Sequence, residues 1–387
     1  MTTDDATHSS PLDIAMLAPL VSPIREPFLG GAQAMARDLA VGLAARGHRV
    51  TFYAAQGTDP RALPGVALVE IAVDPERMRP TDFAAARPDQ PLESPDAAVE
   101  EAFERAIAAI AARQPRHQFV HAHAYDEPAF RLAQLLPMPV AHTLHVAAVV
   151  PAIRATLGAL APTRQQRAPD QPWLVTVSRA CAASYADVCR IDEVIYNGLD
   201  LGAIPFFAAP APSPYALYAG RITPEKGVED AVQIALLAGL DLLLLGGVYD
   251  HAYFEARIQP LLIAHPSQLT YLGPLPREEV WRLMGGARVA LVPSLWDEPF
   301  GLVACEALAT GTPVVGYESG GLREIVTQGE TGALVPRGDI TAAADSVAQA
   351  IHFSRAACRE RVARHFALAD MIATYERLYH RMLAAHR

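Results

Sequence analysis

Short apolar runs that alternate with stretches of helical period are the feature that most constrains this chain. Six fall in the first half, at 14–19 (IAMLAP), 49–55, 119–123, 140–145, 173–178 and 193–198. Six more fall in the second, at 215–220, 241–247, 269–273, 289–294, 313–318 and 332–336. Runs that are apolar at successive positions bury both faces of a strand, and the intervening helices supply the cover. The pattern predicts an α/β chain with two six-stranded, doubly wound parallel sheets, hence two Rossmann-like domains facing a central cleft. A chain of 387 residues is too long for one ordinary core and suits two.

Periodicity fails at 197–214 (NGLDLGAIPFFAAPAPSP), where prolines stand at 205, 210, 212 and 214. The reading is a first domain over 1–200, a second over 201–367, and a last helix over 368–387 that can cross back onto the first. The irregular stretch 74–96 reads as an excursion from the edge of the first domain.

With 51% hydrophobic and 19% charged residues the chain is a folded globular protein, and a net charge of −10 argues against nucleic acid or any other polyanion as partner. The acidic start MTTDDATHSSP lacks the charged and apolar regions of a secretory signal. The run Ile234–Val248, broken by Asp241 and two glycines, is too short to span a bilayer. Cys181, Cys189, Cys305 and Cys358 form no CxxC pair and read as buried thiols of a cytoplasmic protein.

In doubly wound sheets, ligands sit beyond the carboxyl ends of strands, where helix N-termini point outward. After the first strand, Gly30-Gly31 opens a helix that ends near Gly47. Such a turn either only needs glycine geometry or presents free amides to an anion. His121 with His123, and His142 with His145, stand at two strand ends. They read either as a zinc site or as hydrogen-bonding groups lining the cleft, with His123 the best cleft candidate. The second domain opens with YALYAGRITPEKG, where Arg221 and Lys226 flank a strand-to-helix turn suited to a diphosphate but lack a Walker A pattern. Last comes WDEPFGLVACEALATGTPVV, with Glu298 in the loop and Glu306 two turns into the helix behind it. Glu306 stands among Leu302, Val303, Ala304, Cys305, Ala307, Leu308 and Ala309, where an unpaired carboxylate is costly. Its partner is expected to be a vicinal diol of a ligand, which donates two O–H groups to one carboxylate. The alternative is an arginine such as Arg323.

The Glu298–Glu306 element, the GRITPEKG turn, the YNGLD seam, the Gly-Gly turn and VHAH together resemble the retaining glycosyltransferases of the GT-B fold, family 4, over nearly the whole chain. The resemblance implies that Glu306 binds the nucleotide ribose. It further implies that Glu298, with the backbone of Phe300, Gly301 and Leu302, reads the donor-sugar hydroxyls. Arg221 and Lys226 would hold the diphosphate together with amides of Gly30 and Gly31, and His123 would touch the transferred sugar. Val248 and Leu275 would flank the base. The departure is Ala32-Gln33 after the glycines, where the family often has a charged or polar residue directly following.

The expected reaction is metal-independent transfer of a sugar from a nucleotide diphosphate sugar to a saccharide, lipid-linked or natural-product acceptor. No cofactor is expected, and the two cations stabilise the departing diphosphate. Peripheral membrane contact through RQPRHQ at 113–118 is open. A nucleotide-sugar epimerase on the same fold is the alternative; a dehydrogenase lacks GxGxxG followed by an acidic residue, and a non-catalytic sugar binder would not need both cations and both glutamates.

Overall fold

A computed structural model describes residues 10–74, 97–163 and 167–386; most of the stretch 74–96 lies outside them. The first sheet holds β1 (Asp13–Leu17), β2 (Arg49–Ala55), β3 (Ala67–Ile71), β4 (Phe119–Ala122), β5 (Val140–Leu144), β6 (Trp173–Thr176) and β7 (Glu193–Val194). The second holds β8 (Tyr215–Ala219), β9 (Asp241–Leu245), β10 (Leu269–Gly273), β11 (Val289–Val292), β12 (Val314–Tyr317) and β13 (Gly332–Val335). Their orders are β3-β2-β1-β4-β5-β6-β7 and β10-β9-β8-β11-β12-β13. Every pairing is parallel.

The first sheet therefore has seven strands rather than the six expected. The additional one, β3, is an edge strand in which only Ile71 is buried, so it lacks the two-faced apolar signature that marks the others.

The strands show why continuous apolar runs are required. Along β1, Ile14 and Met16 enter one core cluster with Phe52 and Leu39, whereas Ala15 and Leu17 enter another with Tyr53 and Phe103. Successive side chains point to opposite faces, and both faces are covered.

The C-terminal helix Leu368–Ala385 lies against helix Gly31–Ala45 of the first domain. It buries Met371, Ile372, Tyr375, Leu378, Tyr379 and Met382, each contributing about 1.5–3 kcal/mol. A Cβ on Gly42 would come 2.2 Å from Ile372 Cδ1, so glycine sets how closely the two helices approach. Tyr379 and Tyr375 also reach the sheet through His121 Nδ1 (2.7 Å) and Thr143 Oγ1 (2.9 Å).

One further core cluster spans both domains, joining Ala34, Met35 and Leu144 of the first to Phe300, Ala304 and Leu308 of the second. In each sheet the strand order reverses beside the first strand, between β1 and β4 and between β8 and β11. These two switch points are where such sheets bind ligands. No described helix is long and apolar enough to cross a membrane.

Candidate active site

At the end of β8 the chain passes through Gly220 and Arg221 into a tight turn, Pro224–Lys226, before helix Val228–Leu237. Gly227 joins the two with φ +67°, and a Cβ there would lie 1.9 Å from the carbonyl oxygen of Pro293. Only glycine lets the basic turn press against the end of β11. Glu225 braces the turn: its carboxylate accepts from Thr223 Oγ1 (2.7 Å) and Arg221 Nη2 (3.3 Å), and its carbonyl accepts from the Leu295 amide (2.9 Å). Arg221 is further flanked by the Tyr249 ring, 5.7 Å away.

Lys226 donates to Glu298 Oε1 at 2.7 Å and lies 4.6 Å from the Trp296 ring. Ser294, at the end of β11, donates to the same carboxylate oxygen. Burial pushes the Glu298 carboxyl up, but the Lys226 charge and the hydrogen bonds outweigh it and hold it below the usual value. One predicted cation, half-buried, and one predicted buried carboxylate thus form a single ion pair.

Glu306 projects from helix Leu302–Thr310, which starts at Gly301 (φ +103°) and stops at Gly311 (φ +96°). Its side chain is buried, and it is not stranded. Oε1 accepts from the Trp281 indole Nε1 at 3.1 Å, and Arg277 Nη2 stands 3.6 Å away. The arginine beside it is therefore Arg277; Arg323 instead approaches Glu318 at 3.5 Å. Oε2 accepts from no described residue. Burial raises the Glu306 carboxyl above its ordinary value, and Arg277 offsets only part of that. The carboxylate is anchored by one oxygen and retains acceptor capacity at the other.

Across the cleft, Gly30 and Gly31 begin helix Gly31–Ala45, and a Cβ on Gly31 would meet Leu302 Cδ2 at 3.2 Å. The amide-rich turns of the two domains are thus in near contact. Tyr249 Oη donates to the Leu29 carbonyl (3.1 Å), and Arg277 bonds Asp38 Oδ2 (2.9 Å) while its amide donates to Glu26 (3.1 Å). Phe300 is buried against Tyr196 and Phe366, so its ring belongs to the inter-domain core. Val248 pairs with Ile222 beyond β9, and Leu275 packs on the inter-domain cluster two residues before Arg277.

His123, directly after β4, shares a 2.9 Å hydrogen bond between its Nδ1 and His145 Nε2, while its buried Nε2 has no protein partner. Burial lowers both imidazoles, His145 to about 3, so both are neutral near pH 7. His121 is satisfied by Tyr379 and Thr143 (2.8 Å). His142 packs on Phe130 with both ring nitrogens unpartnered. Among the described residues, no group of three or more His, Cys, Asp or Glu is arranged to hold a metal ion.

Sequence reasoning missed Ser294, Trp281, Arg277 and Asp38. Asp38 offered a weaker form of the Glu306 signal, an acid among Ala36, Leu39 and Ala40 but directly after Arg37. Trp281 lies one turn after Arg277 on helix Arg277–Gly286, the spacing that puts two side chains on one face.

Two doubly wound domains that face each other, with basic, acidic and glycine turns at their switch points, have the architecture of the GT-B fold. The chain belongs to glycosyltransferase family 4. The model of Glycosyltransferase Family 4 matches residues 29–203, and that of Glycosyl transferases group 1 matches residues 204–364. The glycogen synthase of Mycobacterium tuberculosis (strain H37Rv) is 33% identical over 88% of this chain and 87% of that one. The D-inositol 3-phosphate glycosyltransferase of Mycobacterium avium is 28% identical over 88% and 85%. Among solved structures, sucrose-phosphate synthase from Thermosynechococcus elongatus superposes with a TM-score of 0.73 at 23% identity, covering 96% of this chain and 100% of that one. HepE of Anabaena, in complex with UDP-glucose, gives 0.68 at 16% identity, with coverages of 95% and 99%.

Proposed function

We propose that the protein transfers a sugar from a nucleotide diphosphate sugar to a saccharide acceptor with retention of configuration and without a metal ion. The observation that carries the reading is the joining of the basic turn to the acidic loop. Lys226 and the buried Glu298 form one ion pair, with Arg221 on the adjoining turn and Glu306 on the helix behind. This combination suits a diphosphate beside a sugar and a ribose. The solved structure of HepE with UDP-glucose and the glycogen synthase and inositol phosphate glycosyltransferase relatives support the same reading.

In this account Arg221 and Lys226 hold the diphosphate, with Gly30 and Gly31 contributing amides from the first domain. Glu298 and the backbone at Phe300, Gly301 and Leu302 take the hydroxyls of the transferred sugar, Glu306 takes the ribose diol, and Val248 and Leu275 flank the base. The acceptor hydroxyl attacks the anomeric carbon from the face on which the diphosphate departs. The C–O bond breaks with its electron pair on the phosphate oxygen, and that oxygen receives the acceptor's proton. His123, neutral and with Nε2 free, donates or accepts a hydrogen bond at the transferred sugar but does not act as a charged acid. Contact between the domains excludes water that would hydrolyse the donor.

A thermal-shift screen of UDP, GDP, ADP and dTDP and their sugars tests the reading. A ligand at 100 times its Kd adds about 2.7 kcal/mol by mass action, a rise of several degrees. A flat response across the panel contradicts the proposal. Product analysis with donor alone then separates transfer, which needs an acceptor, from epimerisation, and the anomeric configuration of the product reports retention.

A further inference from the structure

Arg277 is the only cation the described structure places beside Glu306, and it is shared. One arm reaches Asp38 Oδ2 of the first domain at 2.9 Å, the other stands 3.6 Å from Glu306 Oε1, and the backbone amide of the same residue donates to Glu26 at 3.1 Å. The guanidinium is boxed in by the rings of Trp281 (4.8 Å) and Phe28 (5.8 Å), again one from each domain. Asp38 is also paired with Arg37, at 2.8 Å. A charge-assisted bond from arginine to a carboxylate normally closes to about 2.7–2.9 Å. The Asp38 arm has that length and the Glu306 arm does not. Asp38 thus draws the guanidinium toward the first domain. At 3.6 Å, Arg277 still balances the charge of Glu306 but does not occupy the lone pairs that a diol needs.

We propose that Arg277 and Asp38 are positioning residues for the donor's ribose: Asp38 holds Arg277 off Glu306 when the domains are in contact, leaving that carboxylate open to the diol. The inference rests on Glu306 being the ribose ligand. When the domains separate, Asp38 and Glu26 depart with the first domain and Arg277 is left with Glu306 alone. The ion pair then closes and competes with the ribose. Full grip on the nucleotide is thereby tied to domain contact, through residues that need not touch the reacting atoms.

The test compares Asp38→Asn and Arg277→Lys with the wild-type protein, titrating UDP, ADP and GDP against their 2′-deoxy counterparts by calorimetry. The wild type should favour the ribonucleotide, and Asp38→Asn should bind it about tenfold more weakly and cut that preference, because Arg277 closes on Glu306. Arg277→Lys, with one ammonium in place of a two-armed fork, cannot serve both acids and should lose the same preference. Should Asp38→Asn fail to fold by circular dichroism, Arg277→Lys decides alone. A purely structural role moves the melting temperature and leaves the ribose preference within twofold of wild type, and that result overturns the proposal. If the wild type binds none of the nucleotides, the donor reading itself has failed; if it discriminates and the variants discriminate equally, only this inference has.

Discussion

Exchanging Glu306 for glutamine should weaken nucleotide binding without lowering stability. The carboxyl is buried and its folded-state pKa is raised. A raised carboxyl means that the folded state binds the proton more tightly than the unfolded chain. Its contribution therefore favours folding below the unfolded pKa and turns unfavourable as pH rises through the folded one. Once ionised, the group works against the fold. Glutamine removes that term and keeps a carbonyl for Trp281 Nε1, now bonded at 3.1 Å. Arg277 retains Asp38 at 2.9 Å as counter-charge. The melting temperature should be unchanged or higher. Binding behaves differently: with its carbonyl held by Trp281, the amide turns an NH2 donor toward the diol where the carboxylate offered an acceptor, and it carries no charge. Losing one hydrogen bond to a charged group costs about 1.5–3 kcal/mol, or about 10- to 150-fold in Kd. Differential scanning fluorimetry without ligand and calorimetry with the best-binding nucleoside diphosphate measure the two effects. An unchanged Kd, or a variant that loses stability and affinity together, refutes the reasoning.

The other expectations follow from the same geometry. Lys226→Met should lower kcat by about 10²–10³-fold, the usual loss when one preorganised electrostatic partner is removed, in a steady-state assay with saturating donor. It also leaves Glu298 buried without its cation, so the melting temperature should fall. Donor affinity should decline as pH drops through the raised Glu306 pKa, starting above the ordinary glutamate range, while Glu298, held low, stays ionised. Titration with an intact nucleotide sugar keeps the ligand's own protonation out of the measurement, and a flat profile down to pH 4.5 argues against Glu306 as the ribose ligand. Gly227→Ala puts a Cβ 1.9 Å from a main-chain oxygen at a left-handed position. It should cost more than the ~1 kcal/mol of an ordinary glycine replacement at positive φ, read as a lower midpoint in urea.

What the sequence made legible is decided by burial on two sides. All six strands of the second sheet coincide with runs such as DLLLLGG and VALVPS, because a parallel strand between two helix layers has no polar face to break the run. Ala67–Ile71 escaped notice because an edge strand is free to carry Glu70 and exposed residues. Glycines at turns were readable as punctuation, yet the need for Gly227 comes from Pro293, a residue 66 positions later that only the assembled sheet brings near. The cations and carboxylates were each visible as residue types. The link between Lys226 and Glu298 spans 72 positions, and no local period encodes it. Arg277 carries no local signal of its own within REEVWRL; its partners Asp38 and Phe28 come from the other domain. Glu306 taught the same lesson in reverse: its isolation along the helix was real in sequence and is relieved in space by Trp281.

The most direct measurement is a thermodynamic cycle that crosses wild type and Glu306→Gln with a ribonucleoside diphosphate and its 2′-deoxy form. If this carboxylate accepts the ribose hydroxyls, deleting the 2′-hydroxyl weakens binding to the wild type and has little further effect in the variant, a coupling of at least ~1 kcal/mol. Equal losses in both proteins would place the ribose elsewhere and contradict the account.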